Sequence, residues 1–455
     1  MEDTRWDQAL KVTGEGEGLV GHAGAVLLRK LADRVGLTAA LGPALARPRR
    51  FPLVDRGIVL VSMAVAIALG ATSMNDIALL AHHASVLGPE PSDTTVRRTL
   101  ELADSRTLDK IARARARVRA HVWELIAATP AGFPWLNIAG KVLEGWLVID
   151  LDATLITARS DKQGAAPTYK KGFGFHPLGA WLANTAECLA MLLRPGNAGS
   201  NTVTDHIAVL AAAIAQIPGR MRRRLLVCVD GAGASHELID HLLSLASPRR
   251  MVLFTCGWMI TPTDEDAIAK LPASAFQPGL DQDGTVQEDK HVAEITHLLS
   301  RAAGWPDGLR WIVRRTKPSR RQAPNLTAFE KATGWRYSII CTNIPAAGIP
   351  GGPGSHHPQY IDVTHREHAI VEDGVRTGKA MGLRNLPSKT WQVNCGWVLA
   401  ANIAADLAAW SRLLGLHGCD GLKDAEPDTL RYRIWHIPAR LVRHARQRIL
   451  KISTN

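Results

Sequence analysis

One aliphatic run that ends in two acids, Leu147-Val148-Ile149-Asp150-Leu151-Asp152-Ala153-Thr154, constrains the fold of this chain more than any other stretch. An unbroken run of β-branched and aliphatic residues favours a strand buried on both faces. In an extended chain, positions i and i+2 share a face, so Asp150 and Asp152 project together. Burying an ionised carboxylate is costly unless a cation or hydrogen-bond donors compensate it. The strand end is therefore either a simple turn, where Asp is common, or a metal-binding edge. The run alone leaves both open, and also leaves open which of the two acids would serve.

A second run of the same type, Leu225-Leu226-Val227-Cys228-Val229-Asp230, also ends in one acid. The flexible Gly231-Ala232-Gly233 follows it, and then a helix-like run over 235–245. Acids at the C-terminal ends of two buried strands occupy the place where α/β sheets carry their sites. A third acid is expected on a helix over 365–379. At about 100° per residue, His365, His368, Glu372 and Lys379 fall within a sector of roughly 60°. An amphipathic surface helix would show a charged face too, but one acid, one Lys and two His on one sector favour a functional reading.

At these residues the chain resembles a DDE transposase of a bacterial insertion sequence, closest to the insertion-sequence group numbered thirteen-eighty. In that superfamily the first acid stands in an Asp-x-Thr, matched here by Asp152-Ala153-Thr154, and the second ends the fourth strand, matched by Asp230. The third is a helical Glu in the pattern Tyr, two residues, Arg, three residues, Glu, six residues, Lys. Glu372 and Lys379 match it, whereas His365 and His368 stand in place of Tyr and Arg. The stretches 161–167, Gly172-Phe173-Gly174-Phe175-His176-Pro177-Leu178 and Leu193-Arg194-Pro195-Gly196-Asn197 resemble the same group, and the similarity runs from about Gly21 to the basic tail.

The resemblance implies an α/β fold: an RNase H-like mixed sheet with flanking helices, a helical N-terminal domain and a β-rich insertion. It implies Asp152, Asp230 and Glu372 as catalytic residues and ligands of two Mg²⁺ ions, with Mn²⁺ as a substitute. Asp150 is the alternative or auxiliary first acid, and His365, His368 and Lys379 are auxiliary, with Lys379 also on DNA phosphate. The implied partners are terminal inverted repeats, target DNA and a second copy in a synaptic dimer. The implied reaction is cut-and-paste transposition. The alternatives are an RNase H-like nuclease without strand transfer and a non-catalytic DNA-binding derivative.

The rest of the chain fits this frame. A length of 455 residues suits two or three domains, here 1–140 (helical, DNA-binding), 141–256 (first part of the core), 257–359 (insertion) and 360–455 (second part and basic tail). The formal charge of +12 favours a polyanionic partner. Helices are expected over 25–35, 55–69 and 74–83, with Ser92 or Asp93 capping another that carries Arg97 and Arg98 in a helix-turn-helix-like arrangement. Arg113, Arg115, Arg117 and Arg119 lie on a further helix, part of which would follow a phosphate backbone. Lys170 and Lys171, and the cluster Arg314, Arg315, Lys317, Arg320 and Arg321, are expected DNA contacts, since crowded cations repel unless an anion is near. The Gly- and Pro-rich stretch 345–358 is expected to be mobile. A long apolar helix is expected over 391–414, and the tail 431–451 is basic at helical spacing, suited to DNA or a dimer contact.

Six scattered Cys without a CxxC pair are expected to be reduced, mostly core thiols. Met1–Arg5 carries no signal-peptide pattern. The longest apolar run, 57–71, is shorter than the roughly 20 residues that span a bilayer. These features lead us to expect a cytoplasmic protein with no membrane segment, and the resemblance implies a bacterial, nucleoid-associated one.

Overall fold

The computed structural model describes residues 16–49, 52–199, 202–230, 235–366 and 369–452. Met1–Arg5, the turn Gly231-Ala232-Gly233 and His368, all used above, lie outside the described residues. β1 (Leu19–Val20) leads into α1 (Gly24–Arg34), α2 (Leu37–Leu45) and α3 (Arg56–Ala68). α3 is apolar on every side and buried along nearly its whole length, as a helix enclosed by others must be. Asp55 starts it by accepting hydrogen bonds from the backbone N–H groups of Gly57 and Ile58. A 3₁₀ segment, Met74–His83, and the short α4 (Ala84–Leu87) precede α5 (Asp93–Leu100) and the long α6 (Ser105–Ala127). Ser92 caps α5 by accepting from the Thr95 N–H at 3.2 Å.

β2 (Asn137–Ile138) and β3 (Lys141–Val142) pair just before β4 (Leu147–Ala153) opens the core. β5 (Ile156–Thr157), β6 (Ala166–Pro167) and β7 (Phe173–Phe175) make a small three-stranded patch. The hairpin of β8 (Leu178–Leu182) and β9 (Glu187–Leu192), α7 (Val203–Gln216), β10 (Arg224–Val229), α8 (His236–Ser244) and β11 (Met251–Trp258) follow. Next come α9 (Pro262–Ala269), β12 (Gln277–Leu280), β13 (Val286–Glu294), β14 (Arg310–Thr316), α10 (Ala328–Thr333) and β15 (Arg336–Thr342). The chain then forms α11 (Pro358–Arg366), α12 (Ala369–Gly378), α13 (Trp391–Ser411), α14 (Pro427–Leu430), β16 (Ala439–His444) and β17 (Gln447–Ile452).

A nine-stranded mixed sheet runs in the order β12-β13-β14-β15-β11-β10-β4-β8-β9. Within it, β4, β10 and β11 are mutually parallel and the other pairings antiparallel. Both faces are covered. Leu147, Ile149, Leu151, Leu225, Val227 and Val229 face the core shared with the helical layer. Val148, Leu226 and Cys228 face a second core with Tyr360, Ile361 and Val363 of α11.

Several expectations change here. The strands of 257–359 do not form a sheet of their own; β15 pairs with β11 at Thr255↔Thr342 and Cys256↔Cys341, so β12–β15 extend the central sheet. Val313 and Ile339 enter the first core, and Ile312 and Ile340 the second. The Gly/Pro stretch after β15 is pinned rather than loose. The buried Ser355 hydroxyl accepts from the Ile349 N–H at 2.6 Å, and Trp146 Nε1 donates to the Pro350 carbonyl at 3.1 Å. The basic tail forms a helical turn over Arg431–Trp435, and its cations at 440–451 lie on a β-hairpin and not a helix. Cys188, Cys228, Cys256 and Cys341 are buried thiols, and burial pushes those of Cys188 and Cys256 up to about 12. Among the described residues no helix is long and apolar enough to cross a membrane.

Of the four α6 arginines, Arg115 and Arg119 are core residues, while Arg113 and Arg117 are exposed. Arg119, fully buried, donates to Glu187 of β9 at 2.7 Å and to Asp406 of α13 at 2.9 Å, and also to Gln216 of α7. Arg115 donates to the same Asp406 oxygen at 2.7 Å. Trp123, Trp410 and Thr185 complete the shell by donating to Glu187. Burial alone would raise the Glu187 carboxyl, but the Arg119 guanidinium and these donors hold it below the usual carboxylate range. Two cations thus balance two anions where α6, β9, α7 and α13 meet. Breaking a buried pair by removing one partner strands the other charge, at about 3–5 kcal/mol. Arg119→Met is therefore expected to lower unfolding free energy by about that amount in urea titrations, whereas Arg117→Met, on the exposed flank, should leave it nearly unchanged.

Candidate active site at the ends of the parallel strands

Parallel pairing of β4 with β10 sets Asp150 opposite Cys228 and Leu151 opposite Val229. Continued by one residue, the register brings Asp230 beside Asp152, on strands about 4.8 Å apart. Both acids belong to the alternating positions that face α11. Asp150 lies one step further in, fully buried, whereas Asp152 is half-buried and Asp230 exposed at the rim. The accessible pair is therefore Asp152 and Asp230.

α11 crosses this face and ends above the same edge. The Cys228 thiol reaches the Thr364 carbonyl at 3.9 Å, and His365 Nδ1 meets the hydroxyl of Thr255, the strand neighbour of Cys228, at 3.1 Å. α12 then packs against β4 and β8. A Cβ on Gly374 would sit 3.0 Å from Trp181, the partner of Asp150, so glycine permits this close approach. Val375 packs on the same Trp181 and Cys188. Glu372 is exposed, about 60° around the helix from Val375. The described helices stop at Arg366 and resume at Ala369, and Lys379 begins a π-helical turn, Lys379–Leu383. Met381 and Gly382, past Lys379, leave helical geometry within that turn.

The structure thus brings Asp152 and Asp230 together and sets Glu372 on the flank of a helix over the same sheet face. Among the described residues, no three His, Cys, Asp or Glu side chains form a group able to hold a metal ion. The pair's chemistry still suits Mg²⁺. That ion is held by one or two carboxylates plus water and substrate phosphate, not by an all-protein cage.

The motif segments after β4 support this edge from behind. Thr154 N–H donates to the Pro177 carbonyl at 3.0 Å, and the Asp152 charge acts on His176. Arg194, almost fully buried, donates to the His176 carbonyl at 2.9 Å, to Gly199 at 3.1 Å and to Asp205 at 3.2 Å. The glycines of these motifs are steric requirements: a Cβ on Gly196 would lie 2.2 Å from the Ala166 carbonyl oxygen. The Tyr169 ring lies 5.4 Å from His176, which sets the exposed Lys170 and Lys171 in the turn beside this edge.

With this geometry the sequence comparison agrees. A family model described as "Transposase DDE domain group 1" matches residues 3–455. The chain belongs to this family. No curated protein matches it. One similar solved chain is titled "Cryo-EM structure of piggyBac transposase synaptic complex with hairpin DNA (SNHP)". It has 13% identity and a TM-score of 0.41, covering 95% of this chain and 81% of that one.

Not all the cations expected to face DNA in this transposase-family chain are alike. Arg97 and Arg98 are exposed on α5, Arg97 beside Glu101 at 3.6 Å. Arg320 and Arg321 are exposed after β14. Arg314 instead points into the second core, 3.9 Å from buried Asp362, which Arg366 also holds at 2.9 Å. Arg315 is clamped between the rings of Phe276 and Trp335, and Lys317 lies 3.8 Å from the Trp335 centroid. The sequence reading missed Arg194, His176 and Thr255 as supports of the edge. Arg194 and His176 stood in the family-like stretches, but their roles depend on contacts between distant segments.

Burial lowers the pKa of His176 and of His206, which flank Arg194, below the ordinary 6.5. The unfolded chain then takes up these protons more readily than the folded one. Stability is fully present above about 6.5 and declines as pH falls below it. The melting midpoint should therefore drop between pH 7 and 5, and less steeply in His206→Gln; an identical slope in that variant would contradict the assignment.

Proposed function

We propose that this chain is a cut-and-paste transposase of a bacterial insertion sequence, built on an RNase H-like core. It would bind terminal inverted repeats, cleave at their ends and join the freed 3′-OH to target DNA, with two copies in the synaptic complex. The observation that best supports this reading is the adjacency of Asp152 and Asp230 at the ends of parallel strands, in a chain of the transposase DDE family. Asp152, Asp230 and Glu372 would hold two Mg²⁺ ions, with Asp150 beneath them as auxiliary. Such ions, when bound, activate an attacking oxygen and stabilise the leaving one at a phosphodiester.

The chain's own residues would do the rest. The carboxylate pair presents anionic oxygen at a half-open rim, where a phosphate can approach. Glu372 would complete the set through a modest rotation of α12, whose contact with Trp181 runs through a glycine. Lys170 and Lys171 beside the edge, and Lys379 beyond α12, would bind flanking phosphates. His365, held by Thr255, would orient near the scissile group. Arg97, Arg98, Arg320 and Arg321 would extend the DNA path.

Asp230→Asn removes one anionic ligand while keeping the side chain's shape. The variant should bind the DNA ends of its own element normally but lose cleavage by at least two orders of magnitude. Ca²⁺ should support binding without turnover. Cleavage at the wild-type rate in Asp230→Asn would overturn the assignment, and cutting without joined products would leave a nuclease rather than a transposase.

A further inference from the structure

The C-terminal hairpin, which the site does not use, carries a second interaction surface. β16 and β17 pair in register over Arg440↔Lys451, Val442↔Ile449, Arg443↔Arg448 and His444↔Gln447, with β1 on the other side of β16. Cross-strand partners share a face, and like charges directly opposite each other destabilise a ladder. Here two such pairs, Arg440↔Lys451 and Arg443↔Arg448, occur in one short ribbon. The segment 439–452 contains five Arg and Lys residues and no acid. Among the described residues, no ion pair relieves these cations. Arg448 instead donates to the Ser85 carbonyl at 3.1 Å. Arg440 and Lys451 share the other face of the ribbon, and both side chains are exposed.

The turn adds an independent sign. Ala445 and Arg446 join the strands with φ of 46° and 67°. Both are left-handed conformations that hairpins normally give to Asn and Gly. An arginine held at the apex in that conformation costs stability, and such outliers point to use.

We propose that the β16–β17 hairpin is a DNA-binding ribbon that enters a duplex groove, with Arg440, Arg446 and Lys451 against the phosphates. The major groove of B-DNA admits a two-stranded ribbon, and a polyphosphate edge neutralises the Arg440–Lys451 pair that otherwise repels. This inference rests on DNA being the partner of the catalytic site, and adds a contact surface outside that site.

The test uses the full chain and a duplex carrying the ends of its element, with affinity measured over a range of salt concentrations. Each released phosphate contact lowers the slope of log K against log salt by about 0.9. The variant R440A/R446A/K451A should lose about two to three units of slope and at least tenfold in affinity, with its melting curve intact. Arg446→Gly alone should bind more weakly yet melt higher, because glycine relieves the turn. An unchanged slope in the triple variant, with DNA still bound, overturns the ribbon alone. A loss of self-association with an unchanged slope would assign the hairpin to a second copy of the chain instead. No DNA binding by the wild-type chain overturns both the ribbon and the transposase reading.

Discussion

The parallel register of β4 against β10 is the constraint on which the candidate site depends. It carries Asp150 opposite Cys228 and, one step beyond Leu151 and Val229, brings Asp230 beside Asp152. Side chains alternate along a strand, so a slip of one residue would send one acid into the opposite core. Register is held because both faces are buried: the odd positions of each strand in this stretch lie against the helical layer, the even ones against α11. Hydrophobic patterning thus fixes where two charges emerge.

A second set of charges holds the layers in place. Arg115 and Arg119 of α6 meet Glu187 and Asp406 in a balanced, buried node that ties the N-terminal helices to β9 and α13. An apolar contact there could slide; a network of directional hydrogen bonds at a helix–sheet–helix junction cannot without stranding a charge. On the far side of the sheet, Asp362 is bracketed by Arg314 and Arg366 and anchors α11, whose end lies over the acids. Two ion networks, one on each face, therefore frame the edge.

Much of this was legible in the sequence. The apolar runs ending in Asp152 and Asp230 form strands, and the cap at Ser92 starts a helix as its side-chain chemistry requires. What was hidden is non-local. Arg119 finds its partners 68 and 287 residues away, so the sequence does not announce which of the α6 arginines turn inward. The tail misled for a different reason: Arg440, Arg443 and Arg446 have helical spacing, and the turn at Ala445–Arg446 lacks the Asn or Gly that announces a hairpin. The β-rich character of 257–359 was expected, but only pairing between β11 and β15 reveals that its strands extend the central sheet. Glu372 was located by spacing to Lys379, whereas its rotation on α12 is set by Gly374 and Val375 against Trp181.

The central claim is that Asp152, Asp230 and Glu372 serve one divalent-cation site. Loading the intact chain with Fe²⁺ in place of Mg²⁺ and generating radicals with ascorbate and peroxide cuts the backbone only near the bound ion. The account predicts fragment ends clustered at 150–153, at 229–231 and around 372, all suppressed by excess Mg²⁺ and by Asp152→Asn. Fragment ends that fall elsewhere, or that persist unchanged in Asp152→Asn, would contradict it.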